Sequence, residues 1–111
     1  HPRAWGSFPR ILGKYVRDEK LITLEEAIRR FTSRPAARVG LTDRGILRPG
    51  MKADITIFNP ATVRDVSTFV DPTHYSQGIE HVLVNGTAVV SAGQITAARP
   101  GEPIRGPGYQ K

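Results

Sequence analysis

Phe8, Ile11, Leu12, Tyr15 and Val16 stand at i, i+3, i+4, i+7 and i+8, one stripe of a 3.6-residue period. The spacing predicts an amphipathic helix that begins near Pro9, because a first turn has no intrahelical use for the N–H that proline lacks. Gly13 weakens that helix by roughly 1 kcal/mol relative to alanine. Thr23 followed by Glu26 is a capping box, in which hydroxyl and carboxylate serve each other's free backbone donors. Leu24, Ala27, Ile28 and Phe31 then form the stripe of a second helix. A third, short one is expected, with Ser33 as its cap, Pro35 in its first turn and Gly40 as its left-handed stop.

Beyond Leu41 the pattern turns to strands. In LRPG, Pro49 presets the first central position of a type II turn and Gly50 takes the second. The run ADITIF, Ala53 to Phe58, reads as a buried strand closed by Asn59 and Pro60. Residues 61–78 hold no sustained period and read as a long connection, with room for a short strand at Ser67 to Val70. IEHVLV, then Asn85-Gly86, then TAVV is a strong hairpin pattern. Ser91, Ala92 and Gly93 turn the chain into QIT, and the tail RPGEPIRGPGYQK should be extended.

A chain of 111 residues has room for one domain and a modest core. It lacks cysteine, which excludes disulfides and thiolate metal sites and fits a reducing, cytoplasmic setting. No apolar run reaches the ~20 residues a membrane span needs, so no membrane partner is expected. The net charge of +6 comes mostly from arginine. Those arginines are scattered, without a dense run or interleaved aromatics, and read as solvated faces and ion-pair donors rather than a nucleic-acid surface.

Candidate chemistry is sparse. His1, His74 and His81 fall in a chain end, a loop and a strand, without metal-ligand spacing. Nucleophile-elbow and phosphate-loop motifs are absent. The pairs Asp18-Glu19 and Glu25-Glu26 point apart on a helix and are read as first-turn charges. Asp54, a carboxylate in an apolar strand, needs a partner, for which an arginine or a backbone donor is expected.

The opening HPRAWGSFPRILGKYVR, with Leu24, Ala27 and Thr32, then RPAARVGL, GILRPGMKADITIFNPATVRD, HVLVNGTAVVSAG and PGEPIRGP, closely resembles the C-terminal end of N-acyl-D-amino-acid deacylases. These D-aminoacylases are metal-dependent amidohydrolases. The G-x-L-x-P-G-x-x-A-D element speaks only for the superfamily, whereas HPRxxGxFPRxLG points to the deacylase branch. The likeness runs from His1 to about Pro107.

The resemblance implies an α+β fragment in which 1–41 are the last loop and helices of a (β/α)8 barrel. Residues 42–111 would be the C-terminal share of a small β-sandwich. It implies zinc in the intact enzyme, with its ligands and the catalytic aspartate upstream of His1, so that neither catalytic nor metal-binding residues fall on this chain. One substrate-binding residue carries over: Arg3 of H-P-R, which would grip the α-carboxylate of an N-acyl-D-amino acid. A planar guanidinium suits that task, offering two parallel donors. His1 and Trp5 would line the same pocket or, more in keeping with their place, support the loop, and Arg10 would be structural.

Such a piece is expected to be inactive alone. It should associate with the N-terminal remainder of the enzyme or with a second copy. A small basic binding or assembly module without catalysis is the alternative, to be recognised by steeply salt-dependent binding to polyanions.

Overall fold

The computed structural model describes residues 1–106, 108 and 109. Pro107, Gln110 and Lys111, the end of the expected tail, lie outside the described residues. Helices occupy the first part of the chain and one antiparallel sheet the second. Helix α1 spans Arg3–Arg10 and runs on into a π-helix, Ile11–Asp18. Helices α2, Leu24–Phe31, and α3, Ser33–Arg38, follow. The strands are β1, Ile55–Phe58, β2, Ile79–Val84, β3, Thr87–Ser91, and β4, Gln94–Ile95, ordered β1-β2-β3-β4. The α+β class expected from the residues is the observed one.

The first helix starts earlier than its apolar stripe suggests. His1 joins its start, where its Nδ1 accepts the Arg3 N–H at 3.2 Å. Gly6 departs from helical geometry, with φ −139° and ψ 15°, so Pro9 falls in the first turn after that break, where its missing N–H costs nothing. After Arg10 the helix widens, and the Glu19 N–H reaches back five residues to the Lys14 carbonyl at 2.8 Å. Gly13 lies in this wide segment, pressed so closely on Val63 that a Cβ would meet the Val63 carbonyl oxygen at 2.6 Å.

The caps differ in detail from expectation. The Glu26 N–H donates to Thr23 Oγ1 at 3.2 Å, which is half of the capping box. The Glu26 carboxylate instead pairs with Arg29 at 2.7 Å and Arg30 at 2.6 Å, because two charge-assisted bonds outweigh one to a backbone amide. These pairs lower the Glu26 carboxyl to about 2. Thr32, not Ser33, occupies the cap position of α3, and it makes no side-chain capping bond there. At the far end, Gly40 donates to the Ala37 carbonyl and Leu41 to that of Ala36, the two bonds of a Schellman stop. Asp18 and Glu19 close the π-helix rather than opening a helix, paired with Arg17 and Lys14. Glu25 and Glu26 do lie in the first turn of α2.

The hairpin forms as its pattern requires. Asn85 and Gly86 take φ values of +48° and +80° between β2 and β3, whose register pairs Val84 with Thr87. The Met51 N–H donates to the Arg48 carbonyl at 3.1 Å across Pro49 and Gly50, closing the expected type II turn.

β1 is shorter and wetter than expected. It starts at Ile55 because Ala53 and Asp54 serve the hairpin tip: Gly86 donates to the Ala53 carbonyl, and Asn85 N–H to Asp54 Oδ1 at 2.8 Å. Arg44 also reaches Asp54, at 2.6 Å, so both partners foreseen for that carboxylate are present. As a sheet edge, β1 leaves Thr56 and Ile57 exposed and is not a buried strand. The strand expected at Ser67 to Val70 does not form. Local bonds replace a ladder there, with Ser67 Oγ donating to the His74 carbonyl and the Asp71 N–H to Thr68 Oγ1.

The core lies at the junction of the two parts. Leu12 of the π-helix, Ala27 of α2 and Val63 of the connection after β1 are buried together, packed by Ile28, Phe31, Phe58 and Ile79. Large apolar side chains also lie open to solvent, among them Leu47, Phe69 and Val70. No helix among the described residues is long and apolar enough to cross a membrane.

Candidate functional site

The connection after β1 carries the junction. Asn59 starts it by accepting from Thr62 and Val63 through its carbonyl, and from Ala61 through its side chain. Arg64 then makes a two-way backbone bridge with Gln77, and its side chain turns outward to Gln77 Oε1 at 2.9 Å. Extended backbone alternates its side chains, so Val63 and Asp65 both turn toward the helices. Val63 enters the core, and Arg17 clasps its carbonyl at 2.7 Å.

Asp65 meets α1 across Gly6. A Cβ on Gly6 would stand 2.6 Å from the Asp65 Cβ, so only glycine admits this approach. Arg3 and Arg10 flank the glycine, three residues before and four after it, and both reach the same carboxylate oxygen. Arg3 Nη2 lies 2.7 Å from Asp65 Oδ2, and Arg10 Nη1 lies 3.4 Å from it. The Asp65 side chain keeps 11 % of its exposure, against 34 % and 33 % for the two arginines. Arg3 Nη1 is buried and without a hydrogen-bond partner.

Burial alone would raise the Asp65 carboxyl, but the bond from Arg3 and the charges of Arg10 and Arg3 outweigh it and hold it below its ordinary value. A carboxyl lowered by folding contributes stability above the range in which a free aspartate titrates, and loses it as pH falls through the folded value. Between about pH 5 and pH 3 the urea midpoint is therefore expected to fall more steeply for the unaltered protein than for Asp65→Asn. Parallel curves would show that the pair carries no linked stability.

Two guanidiniums share one carboxylate, so one positive charge remains without a counter-ion in the cluster. Such a cluster attracts a second anion, and a carboxylate is matched to a guanidinium fork. The other residues of the opening stretch brace the connection. Trp5 packs edge-on to Tyr75 at 5.3 Å, its carbonyl accepts from Ser76 Oγ, and His1 packs edge-on to Phe69 at 5.1 Å. His74 pairs with Asp71 at 2.6 Å on the surface, and His81 Nδ1 accepts from the Ala92 N–H. Among the described residues no three metal-ligating side chains come together. Asp65 is the member of the cluster that sequence reasoning passed over. It follows a breaker in an aperiodic stretch, and its partners lie 62 and 55 residues away.

Residues 1–90 match the amidohydrolase family. The chain is 50 % identical over 105 residues to an N-acyl-D-glutamate deacylase of Alcaligenes xylosoxydans xylosoxydans, covering 95 % of this chain and 21 % of the relative. It is 52 % identical over 89 residues to a D-aminoacylase of the same organism, covering 80 % and 18 %. In three dimensions it superposes with a TM-score of 0.86, at 50 % identity, on the N-acyl-D-glutamate deacylase of Bordetella bronchiseptica, solved with zinc and a phosphonate inhibitor that mimics the tetrahedral intermediate. That likeness covers 92 % of this chain and 21 % of the other. The chain thus spans about one fifth of the length of the relatives it matches.

Proposed function

The chain belongs to the amidohydrolase family, and on that footing we propose that it is the C-terminal part of an enzyme hydrolysing N-acyl-D-amino acids to a D-amino acid and a carboxylate. The observation that carries this reading is the deacylase likeness, which spans nearly the whole chain in both sequence and three dimensions. On this reading residues 1–41 are the last loop and helices of a (β/α)8 barrel. Residues 42–111 supply the C-terminal strands of a small sandwich, whose remainder covers side chains such as Phe69 and Val70, 80 % and 97 % exposed here. The cysteine-free composition fits a cytoplasmic enzyme.

Zinc accompanies the Bordetella deacylase. The residues of this chain do not fit a zinc site, since no three ligating side chains converge among those described. The ion would be held by the rest of the enzyme, and no chemical step is assigned to this chain. Its own contribution is orientation. Arg3 binds the α-carboxylate of the substrate, and the uncompensated charge of its cluster with Asp65 and Arg10 supports that role.

The test compares the zinc-loaded full-length polypeptide with the 111 residues alone on N-acetyl-D-glutamate, N-acetyl-D-aspartate and their L enantiomers. Release of the D-amino acid by the full-length enzyme alone is expected. Activity of the isolated chain, or indifference to the stereocentre, would overturn the proposal.

A further inference from the structure

We infer that Asp65 is a positioning residue for Arg3, holding its guanidinium in the orientation that receives the substrate carboxylate; this rests on the role proposed above for Arg3. A free arginine side chain carries rotamer entropy that must be surrendered when a ligand fixes it. At this site Asp65 has already fixed it. Its oxygen takes Arg3 Nη2 at 2.7 Å, and the carboxylate itself is nearly buried.

Three features hold the carboxylate in place. The neighbouring Val63 is fully buried in the core and its carbonyl is clasped by Arg17. The Arg64–Gln77 bridge fixes the backbone immediately before Asp65. Gly6 lets the Asp65 Cβ sit directly against α1, between the two arginines. An anchor tied to the core on one side and to the helix on the other turns a long flexible cation into an oriented donor. Arg10, at 3.4 Å from the same oxygen, adds charge and a second tether. Asp65 takes Nη2 of Arg3, whose side chain keeps 34 % of its exposure, so the guanidinium retains N–H donors for a second carboxylate.

The experiment measures kcat/KM of the full-length enzyme for an N-acetyl-D-amino acid and for its α-carboxamide, a neutral analogue of the same shape. Their ratio reports recognition of the carboxylate and does not depend on how much enzyme is folded. Asp65→Asn keeps the shape and removes the charge, and it is expected to lower the ratio at least tenfold. A merely structural role would slow both substrates alike and leave the ratio unchanged, which would overturn the inference. If the asparagine variant is recovered only as aggregate, Asp65→Glu, which moves the oxygens by one methylene, is read by the same ratio and the same criterion. Arg3→Ala separates the two claims. A ratio unaffected by Arg3→Ala removes the proposed role of Arg3 and this inference with it. A ratio that collapses in Arg3→Ala but holds in the Asp65 variant removes this inference alone.

Discussion

Gly78→Ala is expected to cost on the order of 3 kcal/mol of folding stability and much of the soluble yield. Gly78 has φ +80°, a left-handed conformation that alanine adopts only at a cost of about 1 kcal/mol. The larger share of the expected loss is packing. An added Cβ would stand 2.6 Å from both the backbone nitrogen and the Cα of Val63, and 2.9 Å from the Thr62 carbonyl carbon. These are main-chain atoms of the segment that carries the fully buried Val63 side chain, so they cannot rotate aside. Relief requires β2 and the connection to separate, which pulls Val63 out of the core and Asp65 away from α1.

Gly40→Ala provides the control. Gly40 has nearly the same φ, +76°, yet nothing lies within 4 Å of its added Cβ. Unfolding free energies from urea titrations of the two variants in the full-length polypeptide should differ by the packing contribution, about 2 kcal/mol. Equal losses would mean that backbone conformation alone makes Gly78 necessary.

The second large effect is chemical. If Arg3 grips the substrate carboxylate as proposed, Arg3→Ala lowers kcat/KM of the full-length enzyme for an N-acyl-D-amino acid on the order of a hundredfold, the loss of roughly 2.7 kcal/mol of charge-assisted binding. Arg3→Lys should recover only part of it, because an ammonium restores the charge but not the planar fork. The same truncation leaves Asp65 with Arg10 alone, at 3.4 Å, so some stability is lost as well. A urea midpoint measured beside the kinetics separates the two consequences. A midpoint shift with unchanged kcat/KM would confine Arg3 to the joint between α1 and the connection.

Features governed by neighbours along the chain were legible before the structure. The Asn85-Gly86 hairpin, the Pro49-Gly50 turn and the stop at Gly40 each depend on a backbone preference that a few adjacent residues settle. The stripe of α2 was readable for the same reason. Misreadings share the opposite cause. Glu26 abandoned half of its capping box for two guanidiniums, a choice among competing partners that a motif does not weigh. β1 reads as buried by residue type, but it lies at the sheet edge, and edge position is a property of the assembled sheet. The widening of the helix beyond Arg10 carries no periodic signature, because its stripe suits either winding.

Arg3 was reached through its motif and Asp65 was not, although each is the other's partner. By itself the sequence determined the α+β class, the turns, two of the helix ends and the deacylase resemblance, since these rest on local backbone chemistry and on residue patterns. Only the tertiary structure decided that the connection after β1 holds the two parts together and that one aspartate is shared by two arginines across a glycine. Contacts between residues more than 50 positions apart are set by how segments pack, and packing selects among partners that look equally available along the chain.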